Sequence, residues 1–235
     1  MQSVAVILAA AGGSRRFCGV TPKQMEGKKT YIDLKGKPTF RHCIEKFAKR
    51  SDVKQIILLL AEEDIGFFRE KFSDVAAQYG VVLVVGGKER ADSIQNGLMN
   101  VRPDVDFVAI HDAARPCVSE SAIEAVFSKA KEYGAAMLAS PIVGTIKRAE
   151  NSTVTETVPR DGLWEAQTPQ VFARKIIIDA YSNWRQKRAE GAIPTDDAQL
   201  VEWLGHLVCI VPNDRWNLKI TTPEDKEIAE FLLSK

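Results

Sequence analysis

The sequence predicts an α/β protein with a doubly wound, mostly parallel sheet. Short apolar runs alternate with helix-like segments along the chain, which is the pattern of repeated β-α-β units. Runs such as 53–60 are almost continuously apolar, as expected of strands that are buried on both faces. Small, polar or charged residues follow several runs, and such loops gather at the carboxyl edge of a parallel sheet, where ligands bind.

Each element follows from its local residue pattern. The apolar runs predict strands at 4–8, 53–60, 81–85, 107–110, 135–140 and 207–211. The amphipathic segments predict helices at 39–49, 64–72, 91–100, 120–132, 173–189, 195–204 and 223–233. Asp64 and Ser119 are placed as N-caps of the second and fourth helices, because their side-chain oxygens can accept a hydrogen bond from a free backbone N–H.

Residues 144–162 interrupt this alternation. Two short strands, 145–149 and 153–158, are joined by a polar turn, Glu150-Asn151-Ser152, which predicts a β-hairpin. Because an isolated hairpin is marginal in water, we expect it to pack on another subunit as a dimerisation arm. Packing at the edge of its own domain is the alternative. The length of 235 residues suits one domain, 1–235, that carries this arm.

Composition disfavours several functional classes. The net charge of +1 gives no overall field that would attract nucleic acid or an anionic membrane. No apolar run approaches the roughly 20 residues that span a bilayer, and no signal-peptide pattern precedes the first strand. The four cysteines are widely spaced without a C-x-x-C pair, which disfavours a zinc or redox site and fits a reducing compartment. We therefore expect a cytoplasmic protein that binds neither nucleic acid nor membrane.

The first strand leads into a candidate phosphate-binding turn. It continues into small residues at 9–13, and Arg15 and Arg16 follow at once. Small residues let a ligand approach the backbone, consecutive N–H groups bind anions, and guanidinium groups match phosphate oxygens. The segment favours a nucleotide held by its phosphates, with a plain βα turn and a solvated arginine pair as the alternative. Neither G-x-G-x-x-G nor Walker A fits, which disfavours a dinucleotide oxidoreductase and a P-loop kinase.

The loop GGKERADS (86–93) follows the third strand of the predicted sheet. Gly86 and Gly87 leave the backbone open, so that main-chain groups can contact the edge of a base. Ser93 offers a hydroxyl near the start of the next helix, although a residue there also serves as a helix cap.

The loop HDAARP (111–116) follows the fourth strand. Asp112 is a candidate magnesium ligand, because Mg²⁺ prefers one or two carboxylates together with phosphate oxygens. Arg115 either pairs with Asp112 or orients the loop. We interpret His111 as a hydrogen-bonded structural histidine rather than as a catalytic base.

Together these segments resemble the 2-C-methyl-D-erythritol 4-phosphate cytidylyltransferase family of the non-mevalonate isoprenoid pathway. The matching segments run through almost the whole chain in the family's order, and HDAARP, W-x-A-Q-T-P-Q and KITTPED are highly specific. They are LAAAGGSRRF (8–17), PKQ (22–24), LKGKP (34–38), GGKERADS (86–93), HDAARP (111–116), TIKRAE (145–150), RDGLWEAQTPQVF (160–172), PTDDA (194–198) and NLKITTPED (217–225).

The resemblance implies a Rossmann-like fold of the nucleotide-diphospho-sugar transferase type, with a hairpin arm that exchanges contacts across a homodimer. It implies an enzyme that uses a divalent cation, Mg²⁺, to join CTP and methylerythritol phosphate and release diphosphate. The substrate phosphate, already an anion, attacks the α-phosphorus of CTP, so catalysis is positioning and charge stabilisation. A ribitol 5-phosphate cytidylyltransferase is the nearest alternative, and a non-catalytic nucleotide-binding protein is a more remote one.

The resemblance also implies roles for individual residues. Those matching CTP contacts are Ala10, Ala11 and Gly12 at the turn, Gly87 and Ser93 near cytosine, and Ala113 and Asp112 near the ribose and the metal. Those matching catalytic or acceptor-binding positions are Arg16 at the α-phosphate, Lys23 or Lys29 at the triphosphate, Arg160 and Lys219 at the acceptor phosphate, and Thr145 and Thr168 near its hydroxyls. Thr145 and Arg160 lie in or beside the hairpin, so they are implied to serve the partner's site.

The second cation of the phosphate loop has two candidates. Lys23 keeps the family's spacing from Arg16, whereas Lys29 keeps the spacing to Tyr31 and to LKGKP. An insertion placed before or after the lysine decides between them, and the sequence leaves both open.

Overall fold

The computed structural model describes residues 2–12, 28–188 and 191–235. The strands in these ranges are β1 (Val4–Ala9), β2 (Asp33–Leu34), β3 (Lys37–Pro38), β4 (Val53–Leu60), β5 (Val81–Val85), β6 (Phe107–Asp112), β7 (Ala135–Pro141), β8 (Ile146–Glu150), β9 (Thr153–Val158), β10 (Trp164–Ala173) and β11 (Cys209–Pro212). The helices are α1 (Thr39–Ala48), α2 (Glu62–Tyr79), α3 (Arg90–Met99), α4 (Glu120–Tyr133), α5 (Arg174–Arg188), α6 (Asp197–Glu202) and α7 (Pro223–Leu232). Among these helices, none is both long enough and apolar enough to cross a membrane.

Seven strands form the central sheet in the order β11-β7-β10-β6-β1-β4-β5. All neighbours pair in parallel except β10, which is antiparallel to both β6 and β7. In the register of the central strands, Leu8 of β1 lies beside Leu58 of β4 and His111 of β6. The predicted mostly parallel sheet is confirmed, and the ends of β1, β4 and β6 lie level at one edge.

Helices cover both faces of the sheet, which confirms the doubly wound arrangement. Side chains of a strand point alternately to opposite faces, and β1 follows this rule: Val6 and Leu8 pack in the core on one face, and Ala5 and Ile7 pack in the core on the other. The first core also contains residues of α1, α2 and α4, and the second contains residues of α3, α5 and α6. Both cores exclude water from β1, and all four of these side chains are fully buried.

Strand β10 is the main feature that the sequence-based prediction missed. Its centre contains Gln167, Thr168, Pro169 and Gln170, a polar stretch with a proline that does not resemble a buried strand. The peptide bond from Thr168 to Pro169 is cis, and the pairing with β7 shifts between Ala166 and Gln170. Because β10 runs antiparallel, its amino-terminal half reaches the carboxyl edge of the parallel strands.

The predicted N-cap at Asp64 is wrong. Helix α2 begins two residues earlier, after Ala61, and continues past a non-helical residue, Phe72, to Tyr79. The Asp64 side chain is buried inside the fold and accepts a hydrogen bond from Lys28 Nζ at 2.5 Å. The N-cap predicted at Ser119 is confirmed, because its side chain accepts a hydrogen bond from the backbone N–H of Ala122 at 3.1 Å.

Strands β8 and β9 form a separate two-stranded sheet, which confirms the predicted hairpin. Asn151 and Ser152 at its tip have φ values of 47° and 64°, the left-handed pair of a type I′ turn. An ion pair between Arg148 and Glu156, 2.9 Å apart, crosses the strands. The hairpin strands are mostly exposed to solvent.

Candidate active site

The loops after β1, β5 and β6 touch one another at the carboxyl edge of the sheet. The backbone N–H of Ala113 donates to the carbonyl of Ala9 at 3.1 Å, which ties the loop after β6 to the end of β1. A Cβ on Gly86 would lie only 2.5 Å from Cβ of Ala11. Glycine is therefore required for the loop after β5 to pack this closely against the turn that contains Ala10, Ala11 and Gly12.

The Ser93 hydroxyl holds the loop after β5 in shape. It accepts a hydrogen bond from the N–H of Gly87 at 2.9 Å and donates to the carbonyl of Glu89 at 3.1 Å. A Cβ on Gly87 would lie 2.3 Å from Cβ of Asp92, so the loop and the first turn of α3 are in close contact. Both of the predicted cytosine-side residues thus lie in one internally bonded turn.

Asp112 lies at the end of β6 between two cations. Its Oδ2 accepts a hydrogen bond from Lys219 Nζ at 2.6 Å, and its Oδ1 lies 3.5 Å from Nε of Arg90. Burial opposes the charged form, but the charges of Arg90 and Lys219 outweigh it and hold the pKa of the Asp112 carboxyl well below its usual value. The structure therefore brings Asp112 and Lys219, two of the predicted site residues, into direct contact.

Arg90 is a site residue that sequence reasoning missed. Its Nη2 donates to Oδ2 of Asp197 at 2.7 Å, and the other oxygen of Asp197 accepts a hydrogen bond from the Tyr181 hydroxyl at 2.6 Å. Asp197 is fully buried, whereas the Arg90 side chain is one-third exposed. Both residues lie in segments that carry the family resemblance, Arg90 in GGKERADS and Asp197 in PTDDA. Neither segment contains a pattern that indicates a contact between the two residues.

His111 and Thr168 form a buried hydrogen-bonded chain behind Asp112. Burial lowers the pKa of His111 to about 4, so its imidazole is neutral near pH 7. Since Nε2 faces the carbonyl of Arg115 at 3.1 Å, it carries the proton, and Nδ1 accepts from the Thr168 hydroxyl at 3.1 Å. The same hydroxyl accepts from the N–H of Asp112 at 3.0 Å. The interpretation of His111 as a structural histidine agrees with these contacts.

The segment that carries Lys219 is held by buried polar side chains. Asn217 donates through its side chain to the carbonyl of Thr168 at 2.8 Å and to Oε1 of Gln167 at 3.0 Å. Nη1 of Arg115 donates to the carbonyl of Asn217 at 2.6 Å. Of the two roles considered for Arg115, orientation of the loop is the one this contact supports. Residues of β10 thus position the lysine beside Asp112.

The remaining predicted residues lie elsewhere. Thr145 and Arg160 are exposed at the base of the hairpin, where the Arg160 guanidinium donates to the carbonyl of Val143. No hydrogen bond or ion pair within the described ranges joins either of them to Asp112 or Lys219. Lys29 is half-buried beside the buried ion pair of Lys28. Arg16 and Lys23 lie outside the described residues.

The carboxylates of this edge are too few to hold a metal by themselves. Within the part of the chain that the structure describes, no group of three or more histidine, cysteine, aspartate or glutamate side chains could hold a metal ion. Asp112 supplies one carboxylate, and Mg²⁺ is commonly bound by one or two carboxylates together with substrate phosphates and water. The donor set therefore fits a cation that arrives with a nucleotide.

An α/β sheet with small-residue turns, an acidic side chain and a lysine at its carboxyl edge has the architecture of a nucleotide-binding transferase. A family model for 2-C-methyl-D-erythritol 4-phosphate cytidylyltransferase matches residues 4–235. The chain belongs to this family and is a nucleotidyltransferase.

Relatives of that name support the assignment along the whole chain. The protein from Rhodopirellula baltica is 42% identical over 244 aligned positions, which cover 99% of this chain and 96% of that protein. The protein from Pelotomaculum thermopropionicum is 40% identical over 238 positions, covering 99% of this chain and 95% of its own length.

Solved structures agree in fold. The crystal structure of 4-diphosphocytidyl-2C-methyl-D-erythritol synthase from Anaerococcus prevotii matches with a TM-score of 0.81 at 25% identity, covering 100% of this chain and 99% of that one. The crystal structure of 2-C-methyl-D-erythritol 4-phosphate cytidylyltransferase from Thermus thermophilus matches with a TM-score of 0.77 at 27% identity and covers both chains completely. The predicted Rossmann-like nucleotidyltransferase fold is confirmed.

Replacing Thr168 with valine tests the buried chain behind Asp112. The substitution keeps the shape of the side chain but leaves the N–H of Asp112 and Nδ1 of His111 without partners. We expect the free energy of unfolding to fall by about 2–6 kcal/mol, because each of the two unpaired buried groups costs about 1–3 kcal/mol. Urea unfolding measures it. The control Thr168→Ser keeps the hydroxyl and should lose about 1 kcal/mol, the contribution of one methyl group. A valine variant as stable as the wild type would contradict this role.

Proposed function

We propose that this chain joins CTP and 2-C-methyl-D-erythritol 4-phosphate to form 4-diphosphocytidyl-2-C-methyl-D-erythritol and diphosphate. The observation that carries the proposal is the contact between Asp112 and Lys219, 2.6 Å apart, at the edge where the turns after β1 and β5 meet. A carboxylate and an ammonium group held side by side can serve a divalent cation and a phosphate at neighbouring positions.

CTP is proposed to lie across the turns of this edge. Ala10, Ala11 and Gly12 present main chain with little side-chain obstruction, which suits close approach by the nucleotide. Gly87 and Ser93 are proposed to contact cytosine through the rigid turn that they share. Ala113 is fully buried and its N–H donates to the carbonyl of Ala9, so we assign it to shaping the wall beside the ribose rather than to a hydrogen bond with the ribose.

Charge stabilisation is proposed to come from cations on several segments. Arg16 is assigned to the α-phosphate, and either Lys23 or Lys29 to the triphosphate. Lys219 is one-third exposed, so its ammonium group can reach a phosphate while Asp112 limits its movement. The attacking phosphate oxygen is an anion and requires no general base, so the rate depends on alignment and on neutralising negative charge.

A divalent cation, Mg²⁺, is proposed to bind at Asp112. The two oxygens of this carboxylate have four lone-pair positions, and Lys219 and Arg90 face one oxygen each. Each oxygen of the Asp112 carboxylate therefore keeps a lone pair that can bind a cation. When bound, the cation would offset negative charge on the triphosphate.

The acceptor pocket is proposed to be completed across a homodimer. Thr145 and Arg160 are exposed at the base of the hairpin. Val143, directly before the arm, and Val154, within it, leave apolar surface, each 58% exposed. Dimerisation through residues 144–162 would cover this surface and bring Arg160 to the partner's site. The Thr168 hydroxyl donates its hydrogen bond to Nδ1 of His111, so toward a substrate hydroxyl it can act only as an acceptor.

A cytoplasmic location is proposed as well. CTP is a cytoplasmic metabolite, and Cys43, Cys117 and Cys209 are free thiols in the structure, as is usual in a reducing compartment. Cys18 lies outside the described residues.

Release of diphosphate from CTP tests the proposed reaction. The purified chain with Mg²⁺ should release diphosphate with methylerythritol phosphate and not with ribitol 5-phosphate. Lys219→Ala should lose about 10²–10³ in turnover, the usual effect of removing an aimed charge. Lys175→Ala is the control, because Lys175 forms an ion pair with Asp179 and 87% of its side chain is exposed. This variant should have the turnover of the wild type. Release with ribitol phosphate alone, or with neither acceptor, would contradict the proposal.

Mixing inactive subunits tests the shared site. In a homodimer, Arg160→Ala and Lys219→Ala chains refolded together would form hybrids with one site that keeps both residues. With random pairing, about a quarter of the wild-type activity should return, because half of the dimers are hybrids with one good site each. Mixing Lys219→Ala with Asp112→Asn is the control, since both residues belong to one chain's centre and no site is restored. Equal recovery in both mixtures, or none in either, would contradict the arrangement.

A further inference from the structure

We propose that Arg90 is a positioning residue that orients the Asp112 carboxylate, and that Asp197 and Tyr181 fix Arg90 in place. The proposal rests on the function proposed above, because it concerns how the same site is held in shape. It assigns a purpose to two sequence segments, GGKERADS and PTDDA, whose charged residues have no role in the mechanism described so far.

The four residues come from four different elements and meet in one row. Arg90 begins α3, Asp112 ends β6, Asp197 begins α6, and Tyr181 lies in α5. With Lys219, the order is ammonium, carboxylate, guanidinium, carboxylate and phenol, with successive contacts of 2.6, 3.5, 2.7 and 2.6 Å. The four charged groups alternate in sign, so Asp112 and Arg90 are each attracted by both of their neighbours, and the row ends in a hydrogen bond from the neutral phenol to Asp197.

Asp197 prevents the Arg90 side chain from turning away. Its carboxylate is fully buried, and its oxygens accept one hydrogen bond from Arg90 and one from Tyr181. If Arg90 moved to another partner, a buried carboxylate would lose its counter-charge, which is strongly unfavourable. Helix α6 itself is capped by Asp196, which also accepts a hydrogen bond from Gln170 of β10. The position of Asp197 is therefore fixed by the backbone of α6 and by the cap of that helix.

The geometry of Arg90 suits bridging better than phosphate binding. Nε faces Asp112 and Nη2 faces Asp197, so the rigid planar fork joins two carboxylates in one fixed geometry, whereas the donors of a lysine ammonium group rotate and impose no such geometry. Asp112 therefore has one cation at each oxygen. Because Lys219 alone would leave the carboxylate free to rotate about its contact, the second cation sets which lone pairs face the nucleotide edge.

This role has consequences that differ from those of a substrate-binding arginine. Losing the bridge misorients Asp112 but removes no contact between Arg90 itself and CTP, so the chemical step should slow much more than CTP binding weakens. The affinity for the divalent cation should fall as well, because residues that orient a metal ligand typically affect affinity or activity by 10–100-fold.

The test compares Arg90→Lys, Tyr181→Phe and wild type in three measurements. Steady-state kinetics with Mg²⁺ separates kcat from the KM for CTP. Electron paramagnetic resonance titrations of Mn²⁺, with CTP present and no acceptor, report cation affinity independently of turnover. Thermal unfolding measures the folded fraction at the assay temperature. Arg41→Lys is the matched control, because Arg41 forms an ion pair with Glu45 on α1.

For Arg90→Lys we expect a fall in kcat and in Mn²⁺ affinity of about 10–100-fold with little change in the KM for CTP. Tyr181→Phe should change both in the same direction by less, and the Arg41 control should match wild type. A raised KM for CTP with unchanged kcat would overturn the proposal, because Arg90 would then be a nucleotide ligand. A loss explained by the unfolded fraction, or unaltered Mn²⁺ affinity, would also overturn it. If wild type binds Mn²⁺ and CTP but does not use methylerythritol phosphate, the proposed function fails and the Mn²⁺ titration still tests the Arg90 proposal.

Discussion

The Asp112 carboxylate, buried and charged at the end of β6, is the group on which the rest of the site depends. A lone ionised carboxylate in this position would be expensive to bury, and Lys219 and Arg90 supply the two cations that make it stable. The lysine comes from the segment before α7 and the arginine from α3, so a single carboxylate fixes the relative positions of both. The segments that carry Lys219 and Arg90 therefore meet at the Asp112 carboxylate.

The neighbouring polar groups hold this centre from behind. Neutral His111, the Thr168 hydroxyl and the N–H of Asp112 form one directed chain of hydrogen bonds, and Asn217 fixes the approach of the lysine segment. Strand β10 contributes to both, because its antiparallel course places polar side chains at the edge where the parallel strands end. This explains why a strand with a proline and several polar residues lies in the middle of the sheet.

The local sequence pattern predicted most of the fold but only part of the candidate site. Apolar runs and caps located the parallel strands, the hairpin and most helices, because burial on two faces leaves a strong imprint on sequence. Strand β10 was missed because its centre is polar and contains a proline. Asp64 was wrongly predicted as an N-cap, because its true partner, Lys28, lies 36 positions away in the chain. Arg90 was missed for the same reason: its partners lie 22 and 107 positions away, and spacing within a motif does not report such contacts.

The most direct test is a crystal structure of the chain with Mg²⁺ and a non-reactive CTP analogue. We expect the cation to be bound to Asp112 and to phosphate oxygens of the analogue, Lys219 to keep its contact with Asp112, and Arg90 to bridge Asp112 and Asp197 as it does here. A cation bound away from Asp112, or an Arg90 side chain that has left Asp197 to bind the triphosphate, would contradict this expectation.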